Sequence, residues 1–104
     1  MTLVSTVIEG YSVHVTTNLS AMCKIWVTDS DGNYVTGHTK YHNCDSGSVT
    51  FNTVLSNTYW LNARVEGSLS KNKHRGPFNS DICYIINGFV DNWHLDPWEY
   101  GCDS

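Results

Sequence analysis

Residues 59–66 alternate strictly between two kinds of side chain, and this pattern constrains the fold more than any other feature of the sequence. One set is apolar and the other is mostly polar, namely Tyr59, Leu61, Ala63 and Val65 against Trp60, Asn62, Arg64 and Glu66. Successive side chains of a β-strand point to opposite faces of its sheet, so a strand with one buried and one solvated face shows this period. The segment is therefore predicted to be a strand whose apolar set faces the core.

Shorter stretches with strand-like composition recur along the chain. Strands are predicted at residues 23–27, 34–36 and 82–86, and alternate apolar residues at Val49 and Phe51 indicate another. Residues 4–8 and 11–15 are predicted to form either an opening pair of strands or one bent strand broken at Gly10. The turn residues Asp29-Ser30-Asp31-Gly32 predict a hairpin over 22–40, Asp45-Ser46-Gly47 a second turn, and Asn87-Gly88 the end of a strand. Residues 68–79 are predicted to form the longest loop. Residues 89–104 are predicted to be irregular, apart from a helical turn at 91–93 or 97–100.

Six to eight short strands in 104 residues fit two packed antiparallel sheets better than a large barrel. We therefore expect an all-β protein with an antiparallel β-sandwich fold, for which an immunoglobulin-like arrangement is the commonest candidate. The length matches one domain, so residues 1–104 are expected to form a single domain.

Charge and hydropathy exclude two classes of partner. The net charge of -4 argues against nucleic acid, which requires a basic surface to neutralise phosphates. No run approaches the ~20 apolar residues that cross a bilayer, so no membrane insertion is expected. The first residues, Met1-Thr2-Leu3-Val4-Ser5, also lack the order of charges and apolar residues that marks a signal peptide.

Four cysteines in a short chain predict two disulfides. Three pairings are open, and we favour Cys23 with Cys44 and Cys83 with Cys102 because each closes a local loop. Disulfides indicate an extracellular or cell-surface location, while the absence of a visible signal peptide leaves a cytoplasmic location open.

No cofactor, metal ion or catalytic residue is predicted. The cysteines lack the CxxC spacing of zinc sites. Asp29-Ser30-Asp31-Gly32-Asn33 resembles the start of a calcium loop, but Lys40 stands where such a loop would place its bidentate glutamate, and a hairpin turn is preferred. His38 and His42 could serve a small hydrolase as acid and base with Glu66 or Asp45, but nothing in the sequence indicates that they meet. The chain is therefore expected not to be an enzyme.

The most informative stretch lies near the C-terminus. It concentrates aromatic, acidic and amide side chains, of which the candidate binding residues are Asp91, Asn92, Trp93, Asp96, Trp98, Glu99 and Tyr100. A sugar presents apolar C–H faces edged by hydroxyls, so it is bound by an aromatic platform surrounded by fixed hydrogen-bonding groups. The alternative is that Trp93 and Trp98 cover an open end of the sandwich, and the two hypotheses are compatible if one tryptophan is buried and the other exposed.

The length, the four cysteines, the β pattern and the ending Asp91-Asn92-Trp93-His94-Leu95-Asp96-Pro97-Trp98-Glu99-Tyr100 resemble the small slime-mould (Physarum-type) hemagglutinins. This resemblance implies a lectin with a β-sandwich fold that binds glycans on cell-surface glycoproteins; it carries over no binding residues. The alternative is a disulfide-braced module that binds proteins, such as an inhibitor of a secreted enzyme. Agglutination by so small a protein requires two binding sites or a homodimer.

Overall fold

The computed structural model describes residues 10–53 and 57–102, so the strand predicted at 4–8 lies outside the described residues. Nine strands are described, followed by one three-residue 3-10 helix, Glu99–Gly101: β1 (Ser12–Leu19), β2 (Met22–Thr28), β3 (Tyr34–Gly37), β4 (His42–Asn43), β5 (Gly47–Asn52), β6 (Tyr59–Val65), β7 (Lys73–Phe78), β8 (Ile82–Phe89) and β9 (Asn92–Pro97). Within the described ranges, no helix is long and apolar enough to cross a membrane.

The strands form two sheets. One sheet has four strands in the order β5-β1-β8-β9, and the other has the order β3-β2-β6-β7, with β4 also paired to β2. All pairs are antiparallel except β1 with β8, which run parallel. The predicted all-β sandwich is confirmed, with one strand more than the upper limit of the prediction.

The core lies between the sheets and is built by alternate residues of the central strands. The apolar set of β6 is buried as predicted, with Tyr59, Leu61 and Ala63 fully inaccessible and Val65 3% exposed. These residues face Val13, Val15, Ile86, Trp93 and Leu95 of the other sheet within one buried cluster. Burial of each large apolar side chain stabilises the fold by about 1.5–3 kcal/mol, which makes this alternation the main determinant of the sandwich.

The prediction of one long loop over 68–79 is wrong, because β7 occupies part of it and pairs with β6. Lys73, Arg75 and Pro77 give this segment a polar, broken pattern that hides its strand character. Such residues are typical of edge strands, which have one unpaired side in solvent and tolerate proline. Arg75 also donates a hydrogen bond from Nε to the carbonyl oxygen of Leu95 in β9, 3.2 Å away, where the edges of the two sheets approach each other.

The C-terminal part is more regular than predicted. Strand β8 does not end at Asn87-Gly88 but continues to Phe89, and residues 92–97 form β9. Gly88 has φ +115°, and a Cβ on it would lie 2.9 Å from the Cα of Trp93, so the glycine here permits two backbones to approach. The 3-10 helix confirms a helical turn near 97–100, whereas the one considered at 91–93 is absent.

Both favoured disulfides are present. Cys23 and Cys44 have Cα atoms 5.8 Å apart and are buried in the core, where they attach the segment after β4 to β2. Cys83 and Cys102 have Cα atoms 6.0 Å apart and attach the chain after the 3-10 helix to β8. The two bonds are consistent with an extracellular protein.

Candidate functional site

An open cleft of about 520 Å³ lies on the outer face of the five-stranded sheet. Residues of β2, β6, β7 and the β2–β3 turn line it, namely Trp26, Thr28, Asp29, Ser30, Gly32, Trp60, Asn62 and His74. The sheet register places Trp26 opposite Asn62, and Asn62 opposite His74, so these three residues form one row across three strands.

Two tryptophans form the walls of this cleft. Trp26 and Trp60 lie on the outward faces of the central strands β2 and β6 and are both half-buried. They are diagonal neighbours in the register, which sheet geometry places about 7–8 Å apart.

Each tryptophan has a glycine on the neighbouring strand. Gly37 is paired with Trp26, and a Cβ on Gly76 would lie 3.0 Å from the Trp60 ring. Gly76 has no side chain to cover the Trp60 ring, and both tryptophans are partly exposed.

Asn62 lies beneath the indoles and is only 3% exposed, although it belongs to the polar set of β6. Its Nδ2 donates to three oxygens, at 3.0 Å to Thr28 Oγ1 and at 3.3 Å to the carbonyl oxygens of Trp26 and of Trp60. Carbonyl oxygens only accept hydrogen bonds, so these contacts fix the orientation of the amide.

The oriented amide determines the tautomer of His74. Asn62 Oδ1 is an acceptor and contacts Nδ1 of His74, so Nδ1 carries a proton. In the neutral ring Nε2 is then an acceptor. The His74 side chain is exposed and lines the cleft, so in the neutral form of the ring Nε2 offers an acceptor to a ligand there.

Asp29 forms the hairpin turn beside the cleft. Its Oδ1 accepts hydrogen bonds from the backbone N–H groups of Asp31 and Asn33, both at 2.9 Å. These bonds, led by the one from Asn33, lower the pKa of the Asp29 carboxyl below its ordinary value, against the opposing effect of desolvation. The segment that resembles a calcium loop is thus a turn in which the leading carboxylate binds its own backbone. Within the described ranges, no three histidine, cysteine or acidic side chains are grouped to hold a metal ion.

A cationic row lies next to the tryptophans on the same face. Lys24 is paired with Arg64 across β2 and β6, and its Nζ lies 5.4 Å from the centroid of the Trp26 ring and 5.3 Å from that of Tyr41. The side chain therefore packs between two aromatic rings and stiffens the edge of the cleft.

The candidate residues of the C-terminal stretch are distributed over several places. Trp93 is 2% exposed and belongs to the core, so its ring is not available as a platform. Asp91 and Asn92 lie exposed at the β8–β9 turn, whereas Asp96 lies near the opposite end of β9. At ~3.3 Å per residue, the length of β9 between Asn92 and Asp96 places Asp96 more than about 10 Å from the turn.

A more compact group is formed by Trp98, Glu99 and Tyr100. Trp98 is half-buried, Tyr100 is 77% exposed, and their ring centroids lie 6.4 Å apart beside the exposed Glu99. A Cβ on Gly101 would lie 3.3 Å from the Trp98 ring and 2.7 Å from Thr16 Oγ1, so this turn packs on the outer face of the four-stranded sheet. This arrangement agrees with the hypothesis that one tryptophan is buried and the other is accessible. A role of Trp98, Glu99 and Tyr100 in binding stays a prediction.

The structure also brings His38 and His42 together, with ring centroids 4.0 Å apart. Nδ1 of His38 accepts a hydrogen bond from the backbone N–H of Ile25 at 3.3 Å, and its ring meets the edge of Phe51 at 5.5 Å. Burial, and secondarily the charge of His42, lower the pKa of His38. His38 is thus packed against the sandwich, whereas His42 is exposed.

The cleft was missed at the sequence level although a signal for it was present. The alternation that buries Tyr59 and Leu61 also directs Trp60 outward, and the alternation of 23–27 does the same for Trp26. An outward tryptophan on each of two core strands favours an exposed aromatic site. Which strands are neighbours, and so whether the two rings meet, is not encoded in either segment alone.

Comparisons with known proteins identify the fold only. No protein-family model and no curated protein matches the chain. A disulfide-locked mutant of intermedilysin with human CD59 is similar, with a TM-score of 0.60 and 10% identity over 85% of this chain and 24% of that chain. The human-specific toxin intermedilysin is similar with a TM-score of 0.58 and 10% identity, over 88% of this chain and 23% of that chain. The chain thus spans about a quarter of the toxin's length and shares with that portion a β-sandwich fold.

Proposed function

We propose that the protein is a lectin that binds glycans in the cleft between Trp26 and Trp60. The observation that carries this proposal is the combination of two partly open indoles with one oriented polar group, the imidazole of His74, which lies across Asn62 from Trp26 in the same cleft. The apolar face of a sugar ring stacks on an indole, while a hydroxyl at the ring's edge donates to the histidine.

The fixed geometry of His74 provides selectivity in this proposal. A sugar hydroxyl is well hydrated, so it is bound only where a positioned partner compensates for the lost water. Asn62 holds His74 in one tautomer, and a sugar without a hydroxyl at the matching position would leave Nε2 unpaired. The penalty for such a mismatch is the usual source of discrimination between polar ligands.

The same residues support binding without turnover. The carboxylate nearest the cleft is that of Asp29, and both of its oxygens are engaged by groups of its own turn. It is therefore occupied as a structural acceptor instead of being free to act as a general acid or base. We further propose an extracellular or cell-surface location, where disulfides persist and cell-surface glycoproteins are the partners.

A glycan array on the purified, disulfide-bonded chain tests this function. The glycan that binds best is then titrated against Trp26→Ala, Trp60→Ala and His74→Ala, with Leu69→Ala as a control at a 95% exposed apolar residue outside the cleft. We expect a single-site affinity in the millimolar to micromolar range, worth about 4–8 kcal/mol, and losses of about tenfold or more for the cleft variants.

Two results would contradict the proposal. Unchanged binding by all three folded cleft variants would show that glycans do not bind in the cleft. Trp98→Ala would then test the group of Trp98, Glu99 and Tyr100. A chain that binds none of the arrayed glycans would contradict the lectin function and favour the disulfide-braced protein-binding module.

A further inference from the structure

A second polar patch with an exposed aromatic ring lies on the outer face of the four-stranded sheet. The register pairs Asn18 with Asn87 and Asn87 with His94, so these side chains form a row across β1, β8 and β9. Phe89 and Asn92 are paired beside this row, and Ser20 borders it. Together they surround a shallow depression of about 440 Å³.

The side chains of this patch suit an uncharged polar ligand. Phe89 ends β8 with 68% of its surface exposed, so its ring is accessible to a ligand. In the described part of the chain, the side chains of Asn18, Asn87, Asn92 and His94 have no hydrogen-bond partner within the protein. Amides offer both donors and acceptors at short spacing, which matches the adjacent hydroxyl and acetamido groups of a neutral sugar.

The patch and the Trp26–Trp60 cleft lie at diagonally opposite corners of the sandwich. They are on the outer faces of different sheets, which point in opposite directions. The turn at Ser20 and Ala21 joins the patch end of β1 to the start of β2, whereas Trp26 and Thr28 lie at the far end of β2. Two ligands bound at these places would therefore not collide.

We propose that the Asn18–Asn87–His94 row with Phe89 is a second glycan subsite, which takes a neutral sugar residue and makes one chain bivalent. This inference rests on the proposed lectin function. It also supplies what cross-linking of glycoproteins requires, because two sites on one rigid body can join two glycans without a homodimer.

The test uses the disulfide-bonded chain produced without N-glycosylation, because Asn18-Leu19-Ser20 is an acceptor sequence. Trp60→Ala, Phe89→Ala, the double variant and the control Leu69→Ala are compared on an array of neutral and acidic oligosaccharides. Each is also mixed with a multivalent glycoprotein in a precipitation assay, and sedimentation measures whether the chain is a monomer.

We expect the parent to be a monomer that precipitates the glycoprotein. Each single variant should still bind glycans but precipitate at least about tenfold less glycoprotein. The double variant should bind no glycan. The glycans that Trp60→Ala retains should be neutral, and Phe89→Ala should lose them. A parent that binds no glycan would refute the lectin function itself. Three other results would overturn only the second subsite. The parent could bind glycans while Trp60→Ala loses all binding, or the chain could be a dimer with one site per chain. The native protein could also carry an N-glycan on Asn18.

Discussion

The ammonium group of Lys73 lies 4.8 Å from the centroid of the Trp93 ring, where the edge strands β7 and β9 of the two sheets meet. The long side chain of Lys73 thus covers the core tryptophan while its charge interacts with the ring. Nε1 of Trp93 is buried and, among the described residues, has no hydrogen-bond partner. The indole is therefore held by packing and by the cation, not by its polar atom.

This packing predicts different costs for two substitutions of Trp93. Trp93→Ala should lower the free energy of unfolding by about 3–5 kcal/mol, because it leaves a large cavity in the core. Trp93→Phe should cost clearly less, since it keeps a ring and removes a buried N–H whose desolvation costs about 1–3 kcal/mol. Urea denaturation of both variants measures the difference. A loss for Trp93→Phe as large as that for Trp93→Ala would contradict this account of how the indole is held.

The register of β6 gives a second prediction. Leu61 is fully buried, so Leu61→Ala should lower the free energy of unfolding by about 2–5 kcal/mol. Arg64→Ala on the opposite face is the matched control and should change it by no more than about 0.5 kcal/mol. Denaturation midpoints that do not separate the two variants would contradict the assignment of faces.

The alternation of β6 was sufficient to predict which of its residues enter the core, but not what happens on its other face. Asn62 belongs to the polar set and is nevertheless buried, because Trp26 of a neighbouring strand and Trp60 flank it. Burial on an outer face depends on which strands are adjacent, and pairings distant in sequence leave no mark in a local pattern.

The candidate residues of the C-terminal stretch lie in separate places for a different reason. The density of aromatic and acidic residues predicts a cluster in space, but a strand spreads neighbouring residues along its length and over two faces. The alternation of Trp93 and Leu95 with His94 and Asp96 was a signal for β9, and it would have placed Trp93 in the core.

Stability should depend on pH through His38. Burial, followed by the charge of His42, lowers the pKa of His38 below its ordinary value of 6.5, so the unfolded chain binds a proton more readily than the folded chain does. The contribution of His38 is fully present above about pH 6.5 and is lost as the pH falls through the lowered pKa. Urea midpoints between pH 7 and pH 5 should therefore fall, and His38→Gln should flatten that slope. Asp29 does not interfere, because its pKa lies below 3.8. An unchanged slope in the variant would assign the effect to other groups.

The two disulfides should differ in their accessibility to a reductant. Cys23 is fully buried and Cys44 is 1% exposed, whereas Cys102 is exposed beside the 3-10 helix. Mild reduction of the native protein followed by alkylation should label Cys83 and Cys102 first, as located by peptide mass. Four labelled cysteines without any reductant would contradict both bonds. Complete loss of either bond should cost about 2–5 kcal/mol.

Asn62→Asp is nearly isosteric and tests the hydrogen-bond network beneath the cleft. It replaces Nδ2, which donates to the carbonyl oxygens of Trp26 and Trp60, by an acceptor that faces those same oxygens. One oxygen of the introduced carboxylate then faces carbonyl oxygens instead of donors, so the free energy of unfolding at pH 7 should fall by more than the ~1–3 kcal/mol of an ordinary unsatisfied group.

The pH dependence of this loss identifies its cause. Burial raises the pKa of the introduced carboxyl in the folded state, so the folded variant binds a proton more readily than the unfolded chain does. The deficit relative to the parent should therefore shrink as the pH falls below the raised pKa, where the neutral acid can donate one hydrogen bond. Asn62→Ala is the control, because it removes the same donors without adding a titrating group and should show a deficit that is constant with pH. Parallel pH profiles for the two variants would contradict the burial of this side chain in the folded state.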